Sequence, residues 1–459
     1  MENSFKTLPL NPKLQHNLES LGFTAMTPIQ SEALPFILEG HDLIAKAKTG
    51  SGKTATFGLG LLNKLVIENK KLQSLVICPT RELAVQVAEE LRRLARNIPN
   101  CKILVITGGA SEYQQLNSLD HGAHIIVGTP GRLLKFLKKG AIDLNDLSFL
   151  VLDEADRMLD MGFQEDMEAI ISFTPKEKQT LLFSATFPLE IEELGANILI
   201  NPKKVEVDSK HEKNIIKQTF VEVSDHKQKA EALLRVLGDY KPASTVVFCK
   251  TKQICADVAK FLSREGISAL SIHGDLEQNE RTVVLTKFSN HSCLVLVATD
   301  VAARGLDIKD LEAVVNFDLP QDADVYTHRI GRTARAGKIG LAFTFFVDYE
   351  KEKCQEIENY LETENEYKVM DDFSADSRFD LTPPMKTIYI NGGKKDKIRP
   401  GDILGALVNV AGLSASQVGN ISILDRQTYV AIDAHMARQT ISKLAGEKIK
   451  GLKFKVGEA

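Results

Sequence analysis

The chain has 459 residues, with 57 Lys+Arg against 61 Asp+Glu, 43% hydrophobic and 26% charged residues. That length exceeds the roughly 100–200 residues of one domain, and the ordinary composition excludes disordered and fibrous classes, which predicts a soluble globular protein of two or three domains. No run of about 18 apolar residues occurs, and Met1-Glu2-Asn3 lacks the basic-then-apolar order of a signal peptide, so a cytoplasmic location is expected. The six cysteines form no C-x-x-C pair and reach no His at zinc-finger spacing, which reads as reduced, partly buried thiols.

In chain order, short β-branched runs followed by turn signals and helical stretches recur at Asp42–Ala45, Leu75–Cys78, Ile103–Ile106, Ile125–Val127, Phe149–Leu152 and Leu181–Phe183. This is the rhythm of a parallel sheet wrapped by helices. It pauses in the polar stretch Asp208–Asn214, then resumes at Thr245–Phe248, Leu270–Ile272, Leu294–Val297, Ala313–Phe317 and Leu341–Phe346. The charged segment Tyr349–Asp372 reads as helical, and Phe373–Pro384 as a second linker.

The tail reads as a strand (Thr387–Asn391), a helix (Asp402–Ala411), two strands (Asn420–Leu424, Thr428–Ile432), a helix (Asp433–Leu444) and a strand (Leu452–Val456). That βαββαβ order is the plan of an RNA-recognition sheet. The tail is also basic: from Lys386 it holds 12 Lys+Arg against 6 Asp+Glu, or +6, leaving 45 against 55, or −10, in the remainder. A basic module on an acidic body suggests a polyanionic partner. The expected architecture is therefore α/β: two tandem parallel-sheet lobes over 1–208 and 217–372, linkers at 209–216 and 373–384, and a small α+β domain over 385–459.

After the first strand comes Ala47-Lys48-Thr49-Gly50-Ser51-Gly52-Lys53-Thr54, a glycine-rich turn entering an apolar helical run. Gly50 and Gly52 let backbone N–H groups close on phosphate oxygens, Lys53 reaches the β- and γ-phosphates, and Thr54 offers its hydroxyl to Mg²⁺. Ala47 stands where the general pattern has its first Gly. The strand Phe149–Leu152 ends in Asp153-Glu154-Ala155-Asp156, placing carboxylates at the sheet edge where α/β ligands sit. Alone, such a pair reads as a helix cap; with Lys53 and Thr54 upstream, Asp153 suits Mg²⁺ and Glu154 a water. The expected cofactors are ATP and Mg²⁺.

This pairing resembles the DEAD-box RNA helicases, and the likeness spans about Phe5–Phe346. The resemblance implies two RecA-like lobes and an RNA-dependent ATPase. It further implies that Phe5, Phe23, Thr27 and Gln30 form an adenine-reading segment, with Phe5 stacking on the base and Gln30 bonding its edge. Thr49, Gly50, Ser51 and Gly52 join Lys53 and Thr54 around the phosphates. Pro79, Thr80 and Arg81, then Gly108 and Gly109, then Thr129, Pro130, Gly131 and Arg132 match first-lobe RNA contacts. Asp156, Ser184 and Thr186 match the segment coupling hydrolysis to unwinding.

In the second lobe the likeness assigns Lys250, Thr251, Gln278, Arg281, Thr299 and Asp300 to RNA, and Gly305 and Asp307 to the nucleotide. His328, Arg332 and Arg335 match the arginine-finger segment. Arg332 and Arg335 are three residues apart, so one helical face is expected to aim both guanidinium groups. The likeness further implies that ATP and single-stranded RNA jointly favour a closed state of the lobes, with local strand separation.

The tail is similar to the C-terminal domain of the bacterial DbpA proteins. That likeness implies binding to 23S ribosomal RNA and to precursor particles during assembly of the large (50S) subunit, with no membrane partner and a monomeric chain. Alternation points Ile388, Ile390, Ile421 and Ile423 inward and leaves Tyr389 and Tyr429 on the open face. Base stacking on the tyrosines and phosphate contact by Lys394, Lys395, Lys397 and Arg399 both stay open. Two other classes compete with the helicase reading: an ATP-gated RNA clamp that scarcely turns over, and a DNA-directed motor. The set Lys53, Asp153, Glu154, Arg332 and Arg335 argues against the clamp, and the tail plan against the motor.

Overall fold

The computed structural model describes residues 4–47, 50–187, 189–207, 216–303, 311–334, 339–374 and 381–459. Two compact units divide the chain, one over Met1–Lys210 and the other over most of His211–Ala459.

The first unit is a seven-stranded parallel sheet, lobe 1, formed by β1 (Leu43–Lys46), β2 (Ser74–Ile77), β3 (Ile103–Ile106), β4 (Ile125–Gly128), β5 (Phe149–Leu152), β6 (Gln179–Ser184) and β7 (Lys203–Glu206). Their order is β3-β4-β2-β5-β6-β1-β7. The runs Leu75-Val76-Ile77 and Leu150-Val151-Leu152 are buried on both faces, one side joining a core with Phe57 and Leu91, the other a core with Leu133 and Met158. Burial on both faces is why these strands read as continuous apolar runs rather than alternating ones.

The second unit contains an analogous sheet, lobe 2, formed by β8 (Ile216–Glu222), β9 (Thr245–Cys249), β10 (Ala269–Ile272), β11 (Val295–Thr299), β12 (Ala313–Asn316), β13 (Gly340–Phe346) and β14 (Glu366–Val369). All pairs are parallel, in the order β10-β11-β9-β12-β13-β8-β14, which repeats the lobe 1 order strand for strand. The charged segment after β13 departs from the all-helical expectation. Its helix stops at Leu361, where Glu362 adopts φ +50, and β14 then pairs with β8. In the four residues of β14 only Lys368 is better than exposed, so no apolar run marks the strand.

The tail is a four-stranded antiparallel sheet of β15 (Met385–Ile390), β16 (Val418–Ile423), β17 (Thr428–Asp433) and β20 (Val456–Glu458), in the order β16-β17-β15-β20. A separate short ribbon, β18 (Lys448–Ile449) with β19 (Leu452–Lys453), takes the first two residues of the expected last strand, and β20 begins only at its final residue, Val456. Helices Pro400–Asn409 and Ala437–Leu444 cover one face through Ile388, Ile390, Val430 and Ile432. Tyr389 and Tyr429 are cross-strand partners on the other face, as alternation predicts, but Tyr429 is buried rather than open. Among the described residues no helix is long and apolar enough to cross a membrane.

Candidate nucleotide and RNA sites

The phosphate-loop candidate sits between β1 and the helix Lys53–Lys64, which Gly52 caps at φ +102. A side chain at Gly52 would meet Gln30 Nε2 at 2.7 Å and Thr27 Oγ1 at 2.9 Å, so glycine is required both by φ and by this close approach. The contact joins two segments proposed for one nucleotide. Gln30 Nε2 donates to the Gly52 carbonyl at 3.4 Å and its Oε1 accepts from Thr27 N at 2.9 Å. Phe5 is buried, edge-on to Phe23 with centroids 5.9 Å apart. Thr49 lies outside the described residues, as do Gly305, Asp307 and Arg335.

Lys53 is buried and donates from Nζ to the Ala47 carbonyl at 2.9 Å. Beside it, burial pushes the Asp153 carboxyl up to about 6, the Lys53 charge opposing this and Glu154 adding to it. Asp153 Oδ1 is buried with no hydrogen-bond partner, an orphan that a divalent cation would satisfy, with the Thr54 hydroxyl as the second candidate ligand. The donor set is therefore suited to Mg²⁺, which takes one or two carboxylates and completes its shell with phosphate and water.

Glu154 carries φ +54, and its Oε2 accepts from Arg157 Nη1 at 2.7 Å in a pair buried on both sides. Asp156 gathers the Ser184–Thr186 segment: its Oδ2 accepts from Ala185 N, Thr186 N and Thr186 Oγ1, each at 3.0 Å. Ser184 donates to the Thr186 carbonyl at 2.6 Å, while the Ser184 carbonyl accepts from Ala47 N at 3.0 Å. The pairing of β1, β5 and β6 thus brings Lys53, Asp153, Glu154, Asp156, Ser184 and Thr186 to one sheet edge.

The three lobe 1 segments matched to RNA also meet. Arg81, one residue after the helix cap Thr80, lies against Gly108 and Gly109; a side chain at Gly109, φ +75, would strike Arg81 Nη1 at 2.1 Å. From the other side Arg132 donates to Gln115 Oε1 at 3.1 Å and to the Ala110 carbonyl at 3.4 Å. Gln115 was not singled out by sequence, yet it is buried and also donates to the Thr107 carbonyl at 2.9 Å, bracing the glycine turn. Pro130 opens the helix Pro130–Lys138, behind the buried Thr129, and Gly131 is exposed at its start. Two guanidinium groups, a glycine turn and two helix N-termini form a surface suited to a nucleic-acid backbone.

In lobe 2 the placements are more mixed. Lys250 is exposed, its backbone N donating to Asp318 Oδ2 at 2.9 Å, and Thr251 caps the next helix. Gln278 opens its helix behind a Glu277–Glu280 capping box, and Arg281 donates to the Ala302 carbonyl at 3.4 Å. Thr299 Oγ1 accepts from Ala302 N at 3.4 Å. Both carboxylate oxygens of Asp300 accept from Arg329, at 2.7 Å each, and Arg329 further donates to Asn316 Oδ1 and the Asp318 carbonyl. Arg329, Asn316 and Asp318 carried no sequence signal beyond their neighbourhood.

The expected helical face for the two arginine fingers fails. The helix Ala323–Ile330 contains His328 but ends at the Gly331 cap, so Arg332 lies in the turn beyond it, buried. On the tail, Lys394, Lys395, Lys397 and Arg399 are all exposed, on and beside a turn that backs onto the β16–β17 hairpin through Lys394 N to the Leu424 carbonyl, 2.8 Å.

Comparison with known proteins agrees with this layout. Residues 27–194 match the DEAD/DEAH box helicase family, 228–337 the helicase conserved C-terminal domain, and 387–458 the DbpA RNA binding domain. The chain is 49% identical over 449 residues to the ATP-dependent RNA helicase DbpA of Escherichia coli, covering 98% of each. It is 37% identical over 476 residues to the Bacillus subtilis protein of the same name, covering 99% of each. Among solved structures, S. cerevisiae Dbp5 bound to RNA and ADP BeF3 aligns with TM-score 0.74 and 31% identity, over 81% of this chain and 96% of that one.

Proposed function

The chain belongs to the DbpA-type DEAD-box ATP-dependent RNA helicases, and from that premise we propose that it separates short duplexes in 23S ribosomal RNA during assembly of the large (50S) subunit. It acts in the cytoplasm as a monomer. The observation that carries this reading is a DbpA-type RNA binding domain following a lobe whose sheet edge gathers the phosphate loop, the Asp153–Asp156 carboxylates and the Ser184–Thr186 segment.

In this reading the N–H groups of the 49–52 loop and Lys53 hold the ATP phosphates, and Phe5, Phe23, Thr27 and Gln30 hold the adenine. Thr54 and Asp153 hold Mg²⁺, which when bound neutralises charge developing on the transferring phosphoryl group. Glu154 orients the attacking water and accepts its proton. Asp156 holds Ser184 and Thr186 in register with the phosphate loop, so that a change at the nucleotide is felt along β6. Lobe 2 contributes Gly305 and Asp307 to the ribose, and His328, Arg332 and Arg335 to the γ-phosphate. The Arg81, Gly108–Gly109 and Arg132 surface, with Lys250, Thr251, Gln278, Arg281, Thr299 and Asp300, tracks the RNA backbone, and the basic tail loop selects the RNA.

The test is steady-state ATPase stimulated by ribosomal RNA fragments against unrelated RNA at equal nucleotide concentration and one salt concentration. A chain ending after Pro384 should need roughly 10²-fold more of the preferred fragment for half-maximal ATPase, because the tail no longer concentrates it near the lobes. The cut belongs there because Phe373 and Leu381 are part of the lobe 2 core. Equal response of both chains removes the tail as selector. A clamp that scarcely turns over would show no sustained RNA-stimulated hydrolysis.

A further inference from the structure

The stretch after lobe 2 reads as a linker by composition, yet its described ends are packed. Phe373 and Leu381 are buried in the lobe 2 core with Val236 and Phe343, and Ser374 N donates to Asp239 Oδ2 at 3.1 Å. Only Thr382, Pro383 and Pro384 then separate a lobe 2 core residue from β15. Four peptide steps span at most roughly 14 Å, and two of those three residues are prolines, which stiffen the chain further. The leash is too short and too rigid for the tail to roam.

The tail also touches lobe 2 directly. Thr387, on the sheet face away from the tail helices, is 2% exposed, and Asn290 of lobe 2 is likewise 2% exposed. Asn290 Nδ2 donates to Thr387 Oγ1 at 3.2 Å, and Ser292 Oγ lies 2.7 Å from the same hydroxyl. Asn290 and Ser292 flank His291, whose φ of +51 turns the chain between the helix Gln278–Ser289 and β11. The tail helices lie on the Ile388 side, and the groups bonded to the Thr387 hydroxyl on the other side come from lobe 2. The Asn290 amide and the half-buried Ser292 hydroxyl meeting the buried Thr387 hydroxyl fix register as well as proximity, because loss of both would leave that hydroxyl unmatched at about 1–3 kcal/mol, although Asn290 Oδ1 itself is buried without a hydrogen-bond partner.

We propose that the tail is docked on lobe 2 through the open face of its sheet, clipped at Thr387 by Asn290 and Ser292, so that this face is an internal interface rather than a platform for bases. The basic turn Lys394–Arg399 leads on from the far end of β15, so any RNA it holds is presented in one fixed orientation to lobe 2. The docking stands on the contacts alone; its consequence for RNA rests on the reading that the tail selects the substrate.

The test is the full chain carrying Ser292→Cys and Thr387→Cys, oxidised with glutathione disulfide. Docking places the two sulfurs in bonding range, so denatured protein should show two fewer free thiols than the sum expected, while each single variant shows none missing. The crosslinked chain should keep the fragment concentration for half-maximal ATPase within about 2-fold of its reduced form. Free thiols in the double variant, or a crosslinked chain that loses its fragment response by more than about 10-fold, overturns the proposal. A second variant guards against local misfolding: Thr387→Val keeps shape and removes the hydroxyl. It should raise the half-maximal fragment concentration by roughly 10-fold and leave stimulation by bulk RNA unchanged; an unchanged fragment response counts against the clip. If the unmodified chain shows no fragment preference, the selector reading fails, and thiol counting still decides the docking.

Discussion

The seven-stranded sheets of the two lobes share one strand order, yet their C-terminal edges are electrostatically unlike. The lobe 1 edge buries three carboxylates, Asp153, Glu154 and Asp156, against Lys53 and Arg157. The lobe 2 edge buries the guanidinium groups of Arg329 and Arg332, with Asp300 and Asn316 as acceptors for the first. A repeated backbone plan therefore supplies equivalent positions that carry charge of opposite sign, and in the proposed mechanism lobe 1 takes the cation and the water while lobe 2 brings cationic side chains.

The comparison is broken most severely by neutralising lobe 1. Glu154→Gln should lower RNA-stimulated kcat by roughly 10³–10⁴ while ATP still binds, because it removes the proton acceptor and spares the phosphate contacts. Single-turnover hydrolysis beside nucleotide-binding titration checks this, and near-normal kcat would remove Glu154 from its role.

The corresponding change in lobe 2 is Arg329→Met, which should destabilise the lobe rather than simply slow the reaction. It leaves Asp300 and Asn316 without their donor; since the Asp300 side chain is about a quarter exposed, the cost is about 2–4 kcal/mol rather than that of a fully buried pair. Hydrogen exchange of the β12 amides reports it, since the chain's several domains make a single unfolding midpoint ambiguous.

Opposite in sign is Asp153→Asn, which should abolish hydrolysis yet stabilise ligand-free lobe 1 by about 1–3 kcal/mol. The folded-state carboxyl titrates near 6, above its usual 3.8, so the ionised form is disfavoured by folding. The gain is therefore full above pH 6, shrinks as pH falls from 6 toward 3.8, and vanishes below. Hydrogen exchange of β5 at pH 7.5 and at the acid end of the stable range distinguishes this from a pH-independent packing effect.

The smallest effect is expected at the glycine turn. Gly109→Ala sets a methyl against Arg81 in a left-handed backbone, which should weaken RNA stimulation by roughly 10-fold and cost about 1–2 kcal/mol locally. Unchanged RNA dependence would show that Arg81 need not rest on that turn.

Most of the fold was legible because its central strands are buried on both faces and leave apolar runs, as in Leu75–Ile77 and Leu150–Leu152. The strands that escaped lack a long apolar run: β7 reads Lys203-Lys204-Val205-Glu206 with Val205 alone buried, β14 hides no residue fully, and in β8 the buried Thr219-Phe220-Val221 sits between polar Lys217-Gln218 and Glu222. At the site, order along the chain was enough to nominate Lys53, Asp153 and Glu154. What it lacked was long-range bracing, since Gln115 holds Arg132 and Arg329 grips Asp300 only after distant strands align. Arg157 was within reach, three residues after Glu154 on a helix, a spacing that brings side chains together. The Tyr429 face was placed correctly by alternation, but sequence periodicity carries no information about what covers a face.

Glu154 keeps its carboxylate on a backbone at φ +54, a conformation that disfavours L-residues by about 1–2 kcal/mol. Next to it sits Asp153, ionised at a disadvantage. A laboratory lineage selected only for survival of heating would therefore drift toward asparagine at Asp153, while the buried pair with Arg157 holds Glu154 in place despite its φ, and it would grow sturdier as it lost the proposed metal ligand. Ranking natural or shuffled variants by melting temperature would, at this one corner of β5, favour the inactive ones.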